Sequence, residues 1–441
     1  MNIVNKLSKN TWAAVIIFGM IGQMAWMVEN VYFNTFLFNE IGGNTIDISR
    51  IVAISAIVST ITTIFMGALS DRFQKRKYLL SIGYILWGIV TCAFALLTRN
   101  NISSAFGLTE AAVITSLSVM LVIVMDCVMS FFGATSNDAT FNAWITDVTD
   151  DTNRASVDGV LATFPFFAML LVTGLSGVLI NSFGYPIFFI CLGAPVTVCG
   201  ILGLILIKEK ARTIPKNTHY MKDVIYGFLP STVRQNRMLY LTFIAYMVFM
   251  LSFDTFMPYL LIYLEHGLGF TTMQYTIVMV IAITVAGVIG IILGKVMDRK
   301  GRDSFYYISW AIYTAALFAL IFIKSLSLWV VGGILLLTGD ILLMTVISAT
   351  IRDHTPKDKV GLFQGVRLFF SVLIPMIIGP YLGEWSIRNA TDTMVNEYGE
   401  SVSVPTATIF LTSGIIALFI IIPFGILRKR MAKENGLKKT V

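Results

Sequence analysis

Charge is scarce in this chain. Only 13% of its 441 residues are Asp, Glu, Lys or Arg, against about 25% in an ordinary soluble domain. The three histidines, His219, His266 and His354, are too scattered for a metal site. The four cysteines, Cys92, Cys127, Cys191 and Cys199, sit inside apolar runs without paired-ligand spacing and read as small buried thiols. There is no G-x-x-x-x-G-K-(S/T) loop, no H-E-x-x-H and no Ser–His–Asp arrangement, which argues against an ATP-driven pump and against an enzyme. No small-residue cleavage site follows a short apolar core near the N-terminus, so no removable signal peptide is expected.

What the chain does have is apolar bulk: 56% hydrophobic residues and a mean hydropathy of +0.80. A soluble fold could not hide that much apolar surface, so lipid must be the solvent for most of it. A spanning helix needs about 20 mostly apolar residues. Twelve segments qualify, at 12–38, 48–70, 77–98, 113–146, 156–181, 186–207, 238–264, 272–297, 304–324, 328–350, 360–384 and 404–427. With the N-terminus in the cytosol, 28 of the 32 Lys and Arg residues fall on the inner side, and Arg50, Arg99, Lys324 and Arg388 on the outer. That bias sets topology. It predicts a multi-pass plasma-membrane protein with both termini cytoplasmic, and it explains the net charge of +7 without a nucleic-acid partner. The expected partners are the lipid bilayer and a small-molecule solute, and the expected state is a monomer.

The one long polar stretch between apolar blocks is 208–237. It divides the chain into a bundle at 1–207 and a bundle at 238–441, and its MKDVIYGFLPSTVRQ portion has the character of an interfacial helix. The halves repeat. At a shift of 206, Ala143, Ile145, Asp147, Thr149 and Gly159-Val160 meet Ala349, Ile351, Asp353, Thr355 and Gly365-Val366. At a shift of 227, Gly67, Asp71 and Arg72 meet Gly294, Asp298 and Arg299. At a shift of 225, Glu29 meets Asp254 and Asn34 meets Tyr259. The fold expected is all-α: twelve transmembrane helices in two pseudo-symmetric six-helix bundles.

The repeated G-x-x-x-D-R-x-x-(K/R) element, at Gly67 to Lys75 and at Gly294 to Arg302, resembles the inner-loop signature of the major facilitator superfamily. Within it the chain resembles the glycoside–pentoside–hexuronide:cation symporters, the melibiose permease relatives. That likeness is carried by Asp138 through Trp144, Asp147, Thr149, Asp151 and Arg154, with support from Met66-Gly67 to Gly83. The resemblance implies sugar transport by alternating access, with Asp138 at the cation site. The chain departs from it at Thr60 and Ile64, where melibiose-type members carry acids. It departs again near Gln23 and Met24, where their sugar-site acid would fall, and it lacks their lysine in segment 11, Arg367 being the nearest base.

A carboxylate near the bilayer centre costs about 2.5–3.5 kcal/mol on insertion scales, so it faces a cavity or a partner. Glu29, Asp126, Asp138, Asp254 and Asp340 are such residues. In segment 1, Gln23, Asn30 and Asn34 share a helical face, with Trp26 and Glu29 on the adjoining one. Hydroxyl-bonding amides beside an indole suit a sugar ring. The expected substrate contacts are Gln23, Trp26, Glu29, Asn30, Asn34, Asn142, Asp254 and Tyr259. Asp138, Asp126 and Asp340 are the candidates for cation coupling. Asp71, Arg72, Asp147, Arg154, Asp298, Arg299, Asp353 and Arg367 are expected to gate the inner side, Arg72 pairing with Asp147 and Arg299 with Asp353. Pro165, Pro258, Pro375 and Pro380 mark kinked helices. The reading is secondary uptake of a small polar solute, a sugar or glycoside, coupled to H+ or Na+ with no other cofactor. Efflux of drugs or metabolites, and a non-transporting membrane sensor, are the alternatives.

Overall fold

The structure, a computed structural model, describes residues 7–73, 75–150, 153–207, 227–300, 305–356, 360–396 and 398–438. Among these, ten helices are long and apolar enough to cross a membrane. One of them, Ser156–Leu206, is two rods meeting at Gly184, whose φ of 76° suits glycine. Counting both rods and the shorter Phe305–Leu320 brings the set to twelve. They are α1 (Lys9–Asn39), α2 (Thr45–Phe73), α3 (Arg76–Leu96), α4 (Ala111–Val148), α5 and α6 (before and after Gly184), α7 (Arg237–Gly267), α8 (Thr272–Lys300), α9 (Phe305–Leu320), α10 (Leu326–His354), α11 (Phe363–Ala390) and α12 (Thr408–Arg430). In lipid every backbone N–H and C=O must be satisfied within the helix, which is why so apolar a chain resolves into rods.

The twelve rods match the twelve expected segments, with three corrections. No loop separates segments 5 and 6, because glycine alone turns the chain. Segment 9 is shorter than expected, at 16 residues. The outer loop expected at 385–403 is instead helical to Ala390, followed by a small hairpin of Thr393–Val395 and Ser401–Ser403. Pro165 follows a break in α5 between the helical stretches Arg154–Leu161 and Phe164 onward, in the first turn of the second stretch, where its missing N–H costs little. The interfacial helix read in 221–235 falls mostly outside the described residues; its end, Pro230–Gln235, is a short helix.

By contact the chain forms two compact units, residues 1–217 with 394–402, and 218–393 with 403–441. In the first, α3 lies against α6 with almost nothing between their backbones. A Cβ at Gly88 would stand 2.6 Å from the Gly193 carbonyl oxygen, and one at Gly200 2.5 Å from the Ile85 nitrogen. Lipid gives helices no hydrophobic drive to associate, so close packing over small residues does the work. In the second unit, Ser252 of α7 and Ser413 of α12 each donate to the other's carbonyl, at 2.9 and 2.7 Å. Trp310 of α9 donates to the Ala417 carbonyl at 2.8 Å.

The repeat shows in how α2 and α8 begin. Asn44 and Asp47 bond each other's backbone N–H reciprocally, at 3.1 and 3.2 Å. Thr271 and Gln274, the matching residues of the second half, do the same at 2.9 and 3.3 Å. Both are capping boxes, and they satisfy N–H groups that a helix start leaves open.

At one end of the first unit, just past α3, Arg99 is buried. Its guanidinium donates to the Ile41 and Ala111 carbonyls at 3.1 and 3.2 Å and to the Thr115 hydroxyl, and it lies 3.7 Å from the Tyr398 ring centroid. Tyr398 in turn donates to the Glu40 carbonyl at 2.7 Å. Hydrogen bonds from a charged group are worth about 1.5–3 kcal/mol each. Arg99→Ala is therefore expected to lower the unfolding temperature and to speed hydrogen exchange of 394–402. Unchanged exchange there would show that the segment is held by something else.

Candidate functional site

Glu29 sits where α1 stops being regular. Val28–Tyr32 forms a wide π turn, which inserts one residue into the helical phase and turns the side chains after it. Glu29 is thereby 6% exposed, and Asn34 1%. Asn30 points the other way and is exposed. The single face expected for Gln23, Asn30 and Asn34 is therefore broken: Gln23 is half-buried, and Asn34 bonds back to the Asn30 carbonyl at 3.0 Å.

Two serines meet Glu29. Ser55 of α2 and Ser130 of α4 donate to its Oε1 at 2.7 and 2.6 Å, and the two hydroxyls lie 2.7 Å from each other. Asp126, one helical turn before Ser130, is 1% exposed and within electrostatic reach of Glu29. Glu29 Oε2 and Asp126 Oδ1 are buried without a protein partner. The four-residue spacing of Asp126 and Ser130 puts them on one face of α4, but nothing in the sequence marks Ser55. A serine in an apolar helix becomes noticeable only once an acid is known to face it.

α4 carries a second π stretch, Ala134–Phe141, which holds Asp138. Asp138 is half-buried; Asn137 donates to its Oδ1 at 3.1 Å, and the Trp26 indole lies within reach of it. Asn142, exposed, bonds the Asp138 carbonyl at 2.9 Å. Trp26, half-buried, packs against Trp87 of α3 with centroids 5.2 Å apart, both over Gly133. Tyr84, also of α3, bonds Asn137 and the Phe18 carbonyl at 2.9 and 2.8 Å. So Trp26, Glu29, Asp126, Asp138 and Asn142 belong to one region of the first unit.

In the second unit Asp254 is 8% exposed, its Oδ2 buried without a protein partner, and Gly379 of α11 lies against its Cβ. It precedes a 3₁₀ turn, Met257–Tyr259, that Pro258 imposes on α7. Tyr259 is fully buried and donates to the Pro380 carbonyl at 2.8 Å, which fastens α7 to α11. Asp340 is half-buried. Arg367, half-buried, lies 5.8 Å from the Tyr246 ring centroid, and Tyr246 is within electrostatic reach of Asp340 and Asp254. Among the described residues no group of His, Cys, Asp and Glu is placed to hold a metal ion.

Of the expected gating residues, Asp147 bonds Arg76 of α3, Nε to Oδ2 at 2.7 Å. The side chains of Asp71, Arg72 and Asp298 lie outside the described residues. Arg299 and Asp353 are exposed. Arg154 bonds the Thr149 hydroxyl and the Thr146 carbonyl, each at 3.2 Å, and so ties the start of α5 to the end of α4.

Comparison with known proteins agrees with this architecture. The family model described as Major Facilitator Superfamily matches residues 14–380 and 242–440. A proton-coupled antiporter flippase, LtaA of Staphylococcus saprophyticus, is 25% identical over 196 residues, 43% of this chain and 44% of that one. The chain thus spans less than half the length of this curated relative. A solved structure of the nucleoside transporter NupG, in a mutant form, superposes with a TM-score of 0.71 at 12% identity, covering 94% of this chain and 99% of the other. A bacterial homolog of the human lysosomal transporter Spinster, inward-facing and unoccupied, superposes with a TM-score of 0.68 at 13% identity, covering 97% and 99%. At such identities the structural likeness establishes the fold alone.

Proposed function

The chain belongs to the major facilitator superfamily and is a membrane transporter, not an enzyme, and from that premise we propose that it is a secondary active symporter for a small hydroxylated solute, a sugar or glycoside. Cation coupling runs through the carboxyls of the first unit, and the two sequence halves act by alternating access in the plasma membrane with both termini cytoplasmic. The observation that carries the reading is Trp26: half-buried, backed by Trp87 with ring centroids 5.2 Å apart, and within reach of Asp138. An indole face offers stacking to the flat side of a sugar ring, while Asn30, Asn142 and Gln23 offer hydrogen bonds to hydroxyls. Asp254 and Asp340 are the corresponding acids of the second unit.

A second reading has one support. The partial likeness to a proton-coupled antiporter flippase favours movement of a lipid between leaflets. The two readings separate in proteoliposomes. Labelled sugars and nucleosides are offered under imposed proton and sodium gradients, and the movement of labelled lipids between leaflets is followed in parallel. Gradient-driven sugar accumulation supports the symporter; lipid movement with no sugar accumulation sinks it. Trp26→Ala is expected to raise the half-saturation concentration about tenfold, the worth of a lost aromatic contact. Asp138→Asn is expected to abolish accumulation against a gradient, and unchanged accumulation would remove Asp138 from coupling.

A further inference from the structure

We propose that Glu29, Ser55 and Ser130 form a proton-binding site, and that the coupling ion of the transport cycle is a proton seated on the Glu29 carboxyl. The coupling role rests on the transport reading above; the proton's seat rests on geometry.

Three oxygens, Glu29 Oε1, Ser55 Oγ and Ser130 Oγ, are in mutual contact at 2.7, 2.6 and 2.7 Å. Each edge is a hydrogen-bond length for O–H···O. Two serines bring two hydroxyl protons. With Glu29 ionised, both protons go to the carboxylate, and the serine–serine edge is two oxygens in contact with no proton between them. With Glu29 protonated, three protons serve three edges. Glu29 then donates to Ser55, Ser55 to Ser130 and Ser130 to Glu29, and the ring closes. Asp126, also within reach of Ser55, adds a further acceptor when it is ionised, to a site already short of protons. Loading adds one proton to the carboxylate, and release returns it; no other bond changes.

The surroundings agree with the count. The groups facing Glu29 are Ser55 from α2 and Ser130, Asp126, Cys127 and Asp138 from α4, which makes two hydroxyls, two carboxyls, one thiol and no counter-ion. Among the described residues no Lys or Arg is placed to neutralise Glu29 or Asp126. A buried carboxylate without a cation carries a large desolvation cost, and two beside each other carry more. A proton removes one of those charges. A metal cation fits less well. The oxygen–oxygen edges of 2.6–2.7 Å are those of O–H···O hydrogen bonds, whereas oxygens on one face of an octahedral shell about 2.1 Å from a cation stand about 3.0 Å apart. The unpartnered Glu29 Oε2 is the atom to which a proton can be delivered from Asp138, the half-buried carboxyl within electrostatic reach of Glu29.

The test needs no solute. Infrared spectra of the full chain in lipid, at neutral pH without sodium, should contain a deuterium-sensitive carbonyl stretch of a protonated carboxylic acid. That band should vanish in Glu29→Gln. It should survive in Ser130→Ala but move in frequency, because one hydrogen bond of the ring is gone; this variant keeps the carboxyl and guards against a folding defect in the first. No Glu29-dependent band at neutral pH, or a band that disappears when sodium is added, overturns the proposal. The coupling role is read separately, as the pH change on adding whichever panel solute the wild type accumulates, which Glu29→Gln should reduce to background; an undiminished change overturns that role. If no solute in the panel moves, the symporter reading fails while the spectra still decide the proton.

Discussion

Replacing Arg76 by methionine is expected to destabilise the first unit by about 3–5 kcal/mol, the usual cost of removing one member of a buried ion pair. Arg76 is 5% exposed, and its Nε lies 2.7 Å from Asp147 Oδ2. The pair ties the first turn of α3 to the end of α4, so its loss frees both helix ends at once. The double variant Arg76→Met/Asp147→Leu should recover most of the loss, since it leaves no buried charge behind and replacing a whole buried pair is often neutral. Thermal unfolding in detergent across the four members of the cycle measures the coupling. A single variant as stable as the wild type would mean that water reaches Asp147 and the pair is a surface contact.

The second large effect is a contrast of sign among glycines. Gly88→Ala and Gly200→Ala should each cost about 1–3 kcal/mol by overpacking. The added Cβ meets backbone at 2.6 and 2.5 Å, and backbone cannot swing aside as a side-chain tip can. Gly287, inside α8, has nothing within 4 Å of the position its Cβ would take. There Gly287→Ala should stabilise by about 0.5–1 kcal/mol, the usual gain of alanine over glycine in a helix. Melting of the three variants side by side is the measurement. Destabilisation by all three would mean that any side chain at these positions disturbs the helices and that the α3–α6 approach is nothing special.

Much of the fold was legible along the chain because lipid makes the signal local. Each rod announces itself by about 20 apolar residues, and a helix start such as Asn44–Asp47 by its capping pair. The places where the reading slipped share one cause. Segments 5 and 6 were separated by an expected loop because sequence shows Gly184 only as a turn residue, not as a turn sufficient by itself. Asn30 was put on the face of Asn34 because a regular helical period was assumed through Val28–Tyr32, and the π turn there shifts the phase. The ion pair of Asp147 with Arg76 went unread because Arg76 lies outside the part of the motif that repeats.

The sequence by itself determined that this protein lives in a membrane, that it has twelve helical rods in two related halves, and that a few carboxyls break an otherwise apolar interior. Those facts follow from composition and spacing, which act over one or two helical turns. Only the tertiary structure decided that Glu29 meets Ser55 and Ser130, and that α3 and α6 touch through glycine. Contacts between residues 26 and 101 positions apart depend on how rods rotate about their own axes. That rotation is set by packing and by π turns, neither of which leaves a local mark.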